Sequence, residues 1–91
     1  MNKADLIEQL SVRANIPKVH AAKCINLLTA SIQDALVSGE KVTISDFGTF
    51  TVSHRRAFQG HNPKNGNVIK VPERFIPVFR AGKGLKEALN R

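Results

Sequence analysis

Residues 55–67, Arg55-Arg56-Ala57-Phe58-Gln59-Gly60-His61-Asn62-Pro63-Lys64-Asn65-Gly66-Asn67, cannot bury themselves. Apart from Pro63, their apolar side chains are Ala57 and Phe58. Asn65-Gly66 is a preferred pair for a two-residue type I′ turn, in which both positions need φ > 0. Pro63 has no N–H to give a sheet ladder, so it belongs at a hairpin tip or edge. The segment reads as a basic β-hairpin arm. With about sixteen residues committed to such an arm, about seventy-five remain for a core, which is marginal for a lone domain.

Something else must stabilise the rest. The chain has one cysteine, which rules out an intrachain disulfide framework and fits a reducing compartment. Oligomerisation is the remaining staple. Met1-Asn2-Lys3-Ala4-Asp5 lacks the basic and apolar regions of a signal peptide. The apolar run Phe75-Ile76-Pro77-Val78-Phe79 is far too short for a membrane span. A cytoplasmic protein with no membrane partner is expected. Charge is unevenly placed: residues 1–45 hold five Lys/Arg against four acids, residues 46–91 nine against three. A basic C-terminal half points to a polyanion, and to nucleic acid before membrane because no basic amphipathic helix stands out.

Periodicity divides the chain. Asn2 with Asp5 three residues on resembles a capping box, opening a helix with Leu6, Ile7, Leu10 and Ala14 inward. Asn15-Ile16-Pro17 breaks it, and Pro17 suits the first turn of a second helix. Ala21, Ile25, Leu28, Ile32 and Ala35/Leu36 carry that helix to about Ser38, with Gly39 as its stop. The period then becomes two. Val42 and Ile44 alternate, as do Phe50 and Val52, around a bend at Ser45-Asp46-Phe47-Gly48. After the arm, residues 68–79 read as a returning strand that Pro72 and Pro77 confine to an edge or bulge. A short C-terminal helix follows from 82 to 90, weakened by Gly84. The fold class is α+β: a helical hairpin over 1–38, an antiparallel three-stranded sheet over 41–80 including an arm at about 55–74, and a final helix, all in one domain over 1–91. Phe47, Phe50, Phe75 and Phe79 are read as core. So much aromatic surface on so small a chain predicts a core shared between two copies.

These residues carry a specific resemblance. Asp46-Phe47-Gly48-Thr49-Phe50-Thr51-Val52, then Arg55, then Gly60-His61-Asn62-Pro63-Lys64-Asn65-Gly66 resembles the signature of the bacterial histone-like HU and integration host factor family. The likeness extends to Met1-Asn2-Lys3, to Ser38-Gly39-Glu40-Lys41-Val42-Thr43 and to Arg80-Ala81-Gly82-Lys83. It implies an intertwined dimer, with Phe47, Phe50 and Phe79 in its core, whose two arms embrace double-stranded DNA through the minor groove, with Pro63 as a wedge between base pairs. It further implies DNA-binding roles for Lys3, Arg55, Arg56, His61, Asn62, Pro63, Lys64, Arg74, Arg80, Lys83 and Lys86. Contacts of this kind to phosphate position the duplex without reading its sequence.

Departures from the family pattern are concentrated in and around the arm. Ser53, Phe58, Gln59 and His61 stand where relatives often carry basic side chains, and Asp46 stands where glycine is common. An Asx turn is expected for Asp46. Phe58 either contacts sugars or packs on the arm or body, and packing is the expected role. Asn26 replaces an acid that in some relatives pairs with the residue matching Lys3. An enzyme reading lacks parts: His20 and Cys24 do not make a zinc site, and a buried thiol beside a solvated histidine is expected there. No nucleophile has a visible base and no glycine-rich phosphate loop is present, so no catalytic residue, metal or cofactor is assigned. The expected function is architectural: a nucleoid homodimer that bends and compacts DNA, favouring bent or nicked duplexes over any base sequence. Two alternatives stay open. One is a site-specific heterodimer subunit like integration host factor, although the Met1-Asn2-Lys3 start and short C-terminus resemble HU more. The other is a protein-interaction module using the hairpin for β-augmentation.

Overall fold

The Asn2 side chain accepts the Asp5 N–H, and Asp5 Oδ2 accepts the Asn2 N–H, each at 3.0 Å. This reciprocal cap starts helix α1, Lys3–Ala14, in a computed structural model that describes residues 1–91. Asn15, at φ 54°, ends α1 in the left-handed region. Pro17 sits at the N-cap of α2, Lys18–Val37, just outside the first turn rather than in it. Its carbonyl accepts the N–H groups of His20 and Ala21, so the missing donor is no loss there. Ser38 caps the far end, and Gly39 turns the chain away at φ 86°.

The period-two stretches form strands β1 (Val42–Ile44), β2 (Gly48–Arg55), β3 (Phe58–His61), β4 (Val68–Val71) and β5 (Arg74–Ala81), followed by α3, Lys83–Leu89. Three helices and antiparallel strands make the fold α+β, as expected. The strands divide into two sheets. β1, β2 and β5 pair in the order β1-β2-β5, while β3 and β4 pair with each other in a separate ribbon. Residues 56–57 and 72–73 lie unpaired at the junction. Pro72 explains the break on one side, since it cannot continue a ladder. Pro77 lies inside β5 opposite Val52, where it is tolerated because β5 is an edge strand.

Two glycines permit close packing, Gly48 against β5 and Gly84 of α3 against the bend. A Cβ at Gly48 would sit 2.4 Å from the Phe79 ring, and one at Gly84 would sit 2.7 Å from the Asp46 carbonyl oxygen. Gly84 reads from sequence as a weakness in a helix; in the fold it allows α3 to approach the bend. There the Leu85 N–H donates to the Asp46 carbonyl at 2.9 Å, and the Gly82 N–H to the Phe47 carbonyl at 2.8 Å. Asp46 adopts φ 64°, and its carboxylate makes no hydrogen bond, so the expected Asx turn does not form. The backbone carbonyl is the part of Asp46 that the bend uses.

Very little of the chain is covered. The buried residues are Ala21 and Gly48, neither with a side chain larger than a methyl group. Phe47 and Phe50 each pack against Phe79, with ring centroids 5.6 and 4.9 Å apart, yet Phe47 and Phe79 remain 47% and 43% exposed. Phe75 is 65% exposed at the far end of β5 and stacks on His54. An apolar groove runs between α2 and the sheet, lined by Ile32, Leu36, Val52, Phe75 and Pro77. The radius of gyration is 19.1 Å, against about 12 Å for a compact chain of this length. Cys24 is exposed rather than buried, on a stretch of α2 where Leu27 and Leu28, the latter expected inward, are also left uncovered by the chain.

Candidate nucleic-acid interface

The register of β2 and β5 sorts their side chains into two unlike faces. Residues opposite one another share a face, and faces alternate along each strand. Phe50, Val52 and His54 stand opposite Phe79, Pro77 and Phe75. This face lines the groove beside α2. The other face pairs Thr49 with Arg80, Thr51 with Val78, Ser53 with Ile76 and Arg55 with Arg74. It carries three arginines and no acid. Arg55 and Arg74 are direct cross-strand partners, and like charges so placed repel. A sheet pays that penalty usefully when an anion lies across both.

No such anion comes from the chain. Within 4.0 Å the cation–carboxylate pairs are His54 Nε2 with Glu73 Oε1 at 3.3 Å and Lys83 Nζ with Glu87 Oε1 at 3.9 Å. Arg55, Arg56, Lys64, Arg74, Arg80 and Lys86 have no carboxylate partner, and neither does Lys3 at the start of α1. Lys83 opens α3 and is the one assigned cation that is paired, across an exposed i, i+4 contact worth little. The His54–Glu73 contact ties β2 to the unpaired junction below the arm. Sequence reasoning passed over it because its partners are nineteen residues apart and meet only through the β2–β5 register.

The arm continues away from this cationic face. Phe58, Gln59, Gly60 and His61 stand opposite Val71, Lys70, Ile69 and Val68. Beyond His61 the tip closes through the Asn62 N–H donating to the Asn67 carbonyl at 2.8 Å. The Gly66 N–H donates to the Asn62 carbonyl at 2.7 Å. Gly66 has φ 72°, but Asn65 does not share a positive φ, so the expected two-residue type I′ turn is replaced by a longer loop. Side chains explain the difference. Asn62 Oδ1 accepts the Lys64 N–H across Pro63, and Asn65 Oδ1 accepts the Asn67 N–H, both at 2.9 Å. These local bonds hold the wider loop, in which Asn65 does not adopt the I′ geometry. They leave Pro63 exposed at the tip, its ring held by the bonds on either side.

Phe58 lies against the arm, as expected, yet it remains 59% exposed. Its ring lies over Gly60, whose Cβ, if present, would be 3.8 Å from Phe58 Cε2. The histidines, Cys24 and the carboxylates form no group of three that could hold a metal ion. No helix is long and apolar enough to cross a membrane.

Comparison with known proteins agrees with this geometry along the whole chain. Residues 1–90 match the model of the family described as bacterial DNA-binding protein. The chain is 43% identical over 90 residues to the DNA-binding protein HU-beta of Serratia marcescens, covering 99% of this chain and 100% of that one. It is 42% identical over 89 residues to the DNA-binding protein HU of Staphylococcus aureus, covering 98% and 99%. Among solved structures, an Anabaena HU–DNA co-crystal superimposes with a TM-score of 0.86 at 34% identity, covering 98% of this chain and 97% of that one. HU from Thermotoga maritima does so with a TM-score of 0.69 at 29% identity, covering 98% of each. With an acid-free cationic sheet face continued by a solvated arm, and likeness from end to end, the chain belongs to the bacterial DNA-binding protein family of HU.

Proposed function

We propose that this protein is a non-enzymatic architectural component of the bacterial nucleoid: a homodimer that binds double-stranded DNA and bends it. One observation carries the reading. The cations of the sheet face and the arm are left without carboxylate partners, so their charge is free for a polyanion. Arg55, Arg74 and Arg80 on the sheet face, with Arg56, His61 and Lys64 along the arm and Lys3, Lys83 and Lys86 on the helices, contact phosphates. Asn62 and Pro63 act at the tip. The Pro63 ring enters the minor groove and opens one base step, so the duplex kinks. Unstacking costs a few kcal/mol per step, offset by phosphate contacts that the bend brings within reach.

Dimerisation follows from the uncovered apolar surface. Phe47, Phe50 and Phe79 form a cluster that the chain itself leaves half open, and the groove beside α2 is apolar. A second copy buries both. A salt titration on intact duplex tests the DNA reading. With roughly six to ten phosphates neutralised per dimer, log K against log salt should fall with a slope of about −5 to −9, toward the shallow end because Ser53, Phe58, Gln59 and His61 are neutral. A slope near zero would remove phosphate contact as the source of affinity.

A further inference from the structure

We propose that Phe58, with Ile69 and Val71 beside it, forms an apolar strip that packs against the deoxyribose walls of the DNA groove and supplies affinity that salt does not screen. The proposal rests on the DNA-binding reading above and concerns a part of the arm that reading leaves idle.

The β3–β4 register places Phe58, Gly60, Ile69 and Val71 on one face of the ribbon and Gln59, His61, Val68 and Lys70 on the other. The arm is therefore amphipathic, although it is two strands thick and its strands pair with each other in a sheet of their own. Phe58 and Ile69 are exposed, and the Phe58 ring extends toward the tip over Gly60, where the lack of a side chain leaves room for it. The result is a flat apolar surface along the length of the arm. Its surroundings decide what covers it. Residues 55–72 contain no acid, and Arg55, Arg56, Lys64 and Lys70 surround the strip at its root, tip and reverse face. An apolar protein surface gains nothing from that ring of cations. A nucleic-acid groove matches both features, since its rims are phosphate and its walls present sugar C–H groups.

Charge and apolar contact leave separate marks on a binding curve. Losing a phosphate contact changes the slope of log K against log salt, because fewer counterions are released. Losing apolar contact lowers affinity in proportion to area, whatever the salt. Duplex affinity of wild type, Phe58→Ala and Phe58→Leu, measured from about 50 to 200 mM salt, therefore tests the strip. Phe58→Ala should bind about tenfold more weakly at every salt concentration with an unchanged slope, and Phe58→Leu should recover most of that loss. The exposed ring contributes little to folding, so the free protein should melt within a few degrees of wild type. If Phe58→Ala does not fold, Phe58→Leu decides by the same criterion. Wild-type affinity in both variants overturns the strip while leaving the DNA reading intact, as does a variant that alters self-association alone. A wild-type protein that fails to bind duplex at low salt overturns both.

Discussion

The body and the arm solve opposite problems. The helical hairpin, the β1-β2-β5 sheet and α3 carry large apolar side chains that the chain does not cover, among them Leu27, Leu28, Phe47 and Phe79. Their organisation depends on contacts far apart in sequence, such as Phe79 with Phe47 and Gly82 with Phe47. The arm is organised locally, by a four-pair ladder and by Asn62 and Asn65 bonding to N–H groups two residues on. The body therefore needs a second copy to become stable, while the arm needs a ligand to become useful. Stability and DNA recognition should accordingly respond to different substitutions.

The largest effect should come from the body. Phe79→Ala removes the ring that contacts both Phe47 and Phe50, and a phenylalanine lost from a covered core costs about 3–5 kcal/mol. The folded dimer should fail to form at micromolar concentration, as read by sedimentation and circular dichroism. In the wild type, the melting temperature should rise with protein concentration, as mass action requires when folding and association are one event. A stable folded wild-type monomer would break the comparison at its root.

Next comes Gly84→Ala, whose new methyl must displace the Asp46 backbone. Overpacking of this kind costs about 1–3 kcal/mol. Thermal melting should show the loss, with the arm's own ladder unaffected by amide exchange. An unchanged melting temperature would mean that α3 docks more loosely than its hydrogen bonds to the bend imply.

The arm should behave differently. Pro63→Ala should leave melting temperature and salt slope nearly unchanged, because proline carries no charge and this one lies exposed at the tip. In an energy-transfer bending assay it should lose most of the bend and much of any preference for nicked DNA. Full bending by that variant would reduce Pro63 to a turn residue. Arg55→Ala should make the salt slope shallower by about one per site lost. It also relieves the Arg55–Arg74 opposition, so the free protein should be no less stable. A slope equal to wild type would place Arg55 outside the interface.

The smallest effect is expected at the junction between the two regions. His54 and Glu73 are both about half exposed, so Glu73→Gln should change stability by less than about 0.5 kcal/mol. It removes the one acid between Asp46 and Glu87, and DNA affinity should rise slightly. A large loss of stability would show that this contact holds the arm to the body more firmly than an exposed pair can.

Local signals in the sequence translated directly into structure. The Asn2–Asp5 cap, the extent of α2, the Gly39 stop and the change to period two depend on neighbours within a few residues, and each appears where the sequence places it, although Leu28 of the α2 stripe is left uncovered. The resemblance carried the family in the same way, because Asp46 to Val52 and Gly60 to Gly66 are contiguous runs. The missing donor of Pro63 limits it to a hairpin tip or an edge, and it lies at the tip. The turn beneath it could not be read in this way, because the Asx bonds of Asn62 and Asn65 compete with the preference of Asn65-Gly66 for I′ geometry.

Other features depended on residues distant in sequence, and only tertiary structure decided them. The exposure of Cys24 and Phe58 follows from which faces have a neighbour to pack against. Gly84 changes from a helix weakness to a requirement because Asp46, thirty-eight residues earlier, comes within reach. The opposition of Arg55 and Arg74, which makes one sheet face suited to a polyanion, exists only once β2 and β5 are in register. Composition and period thus determined the elements, the surplus of positive charge and the shortage of core. Register and packing determined which of those charges stand together and which apolar surfaces remain open.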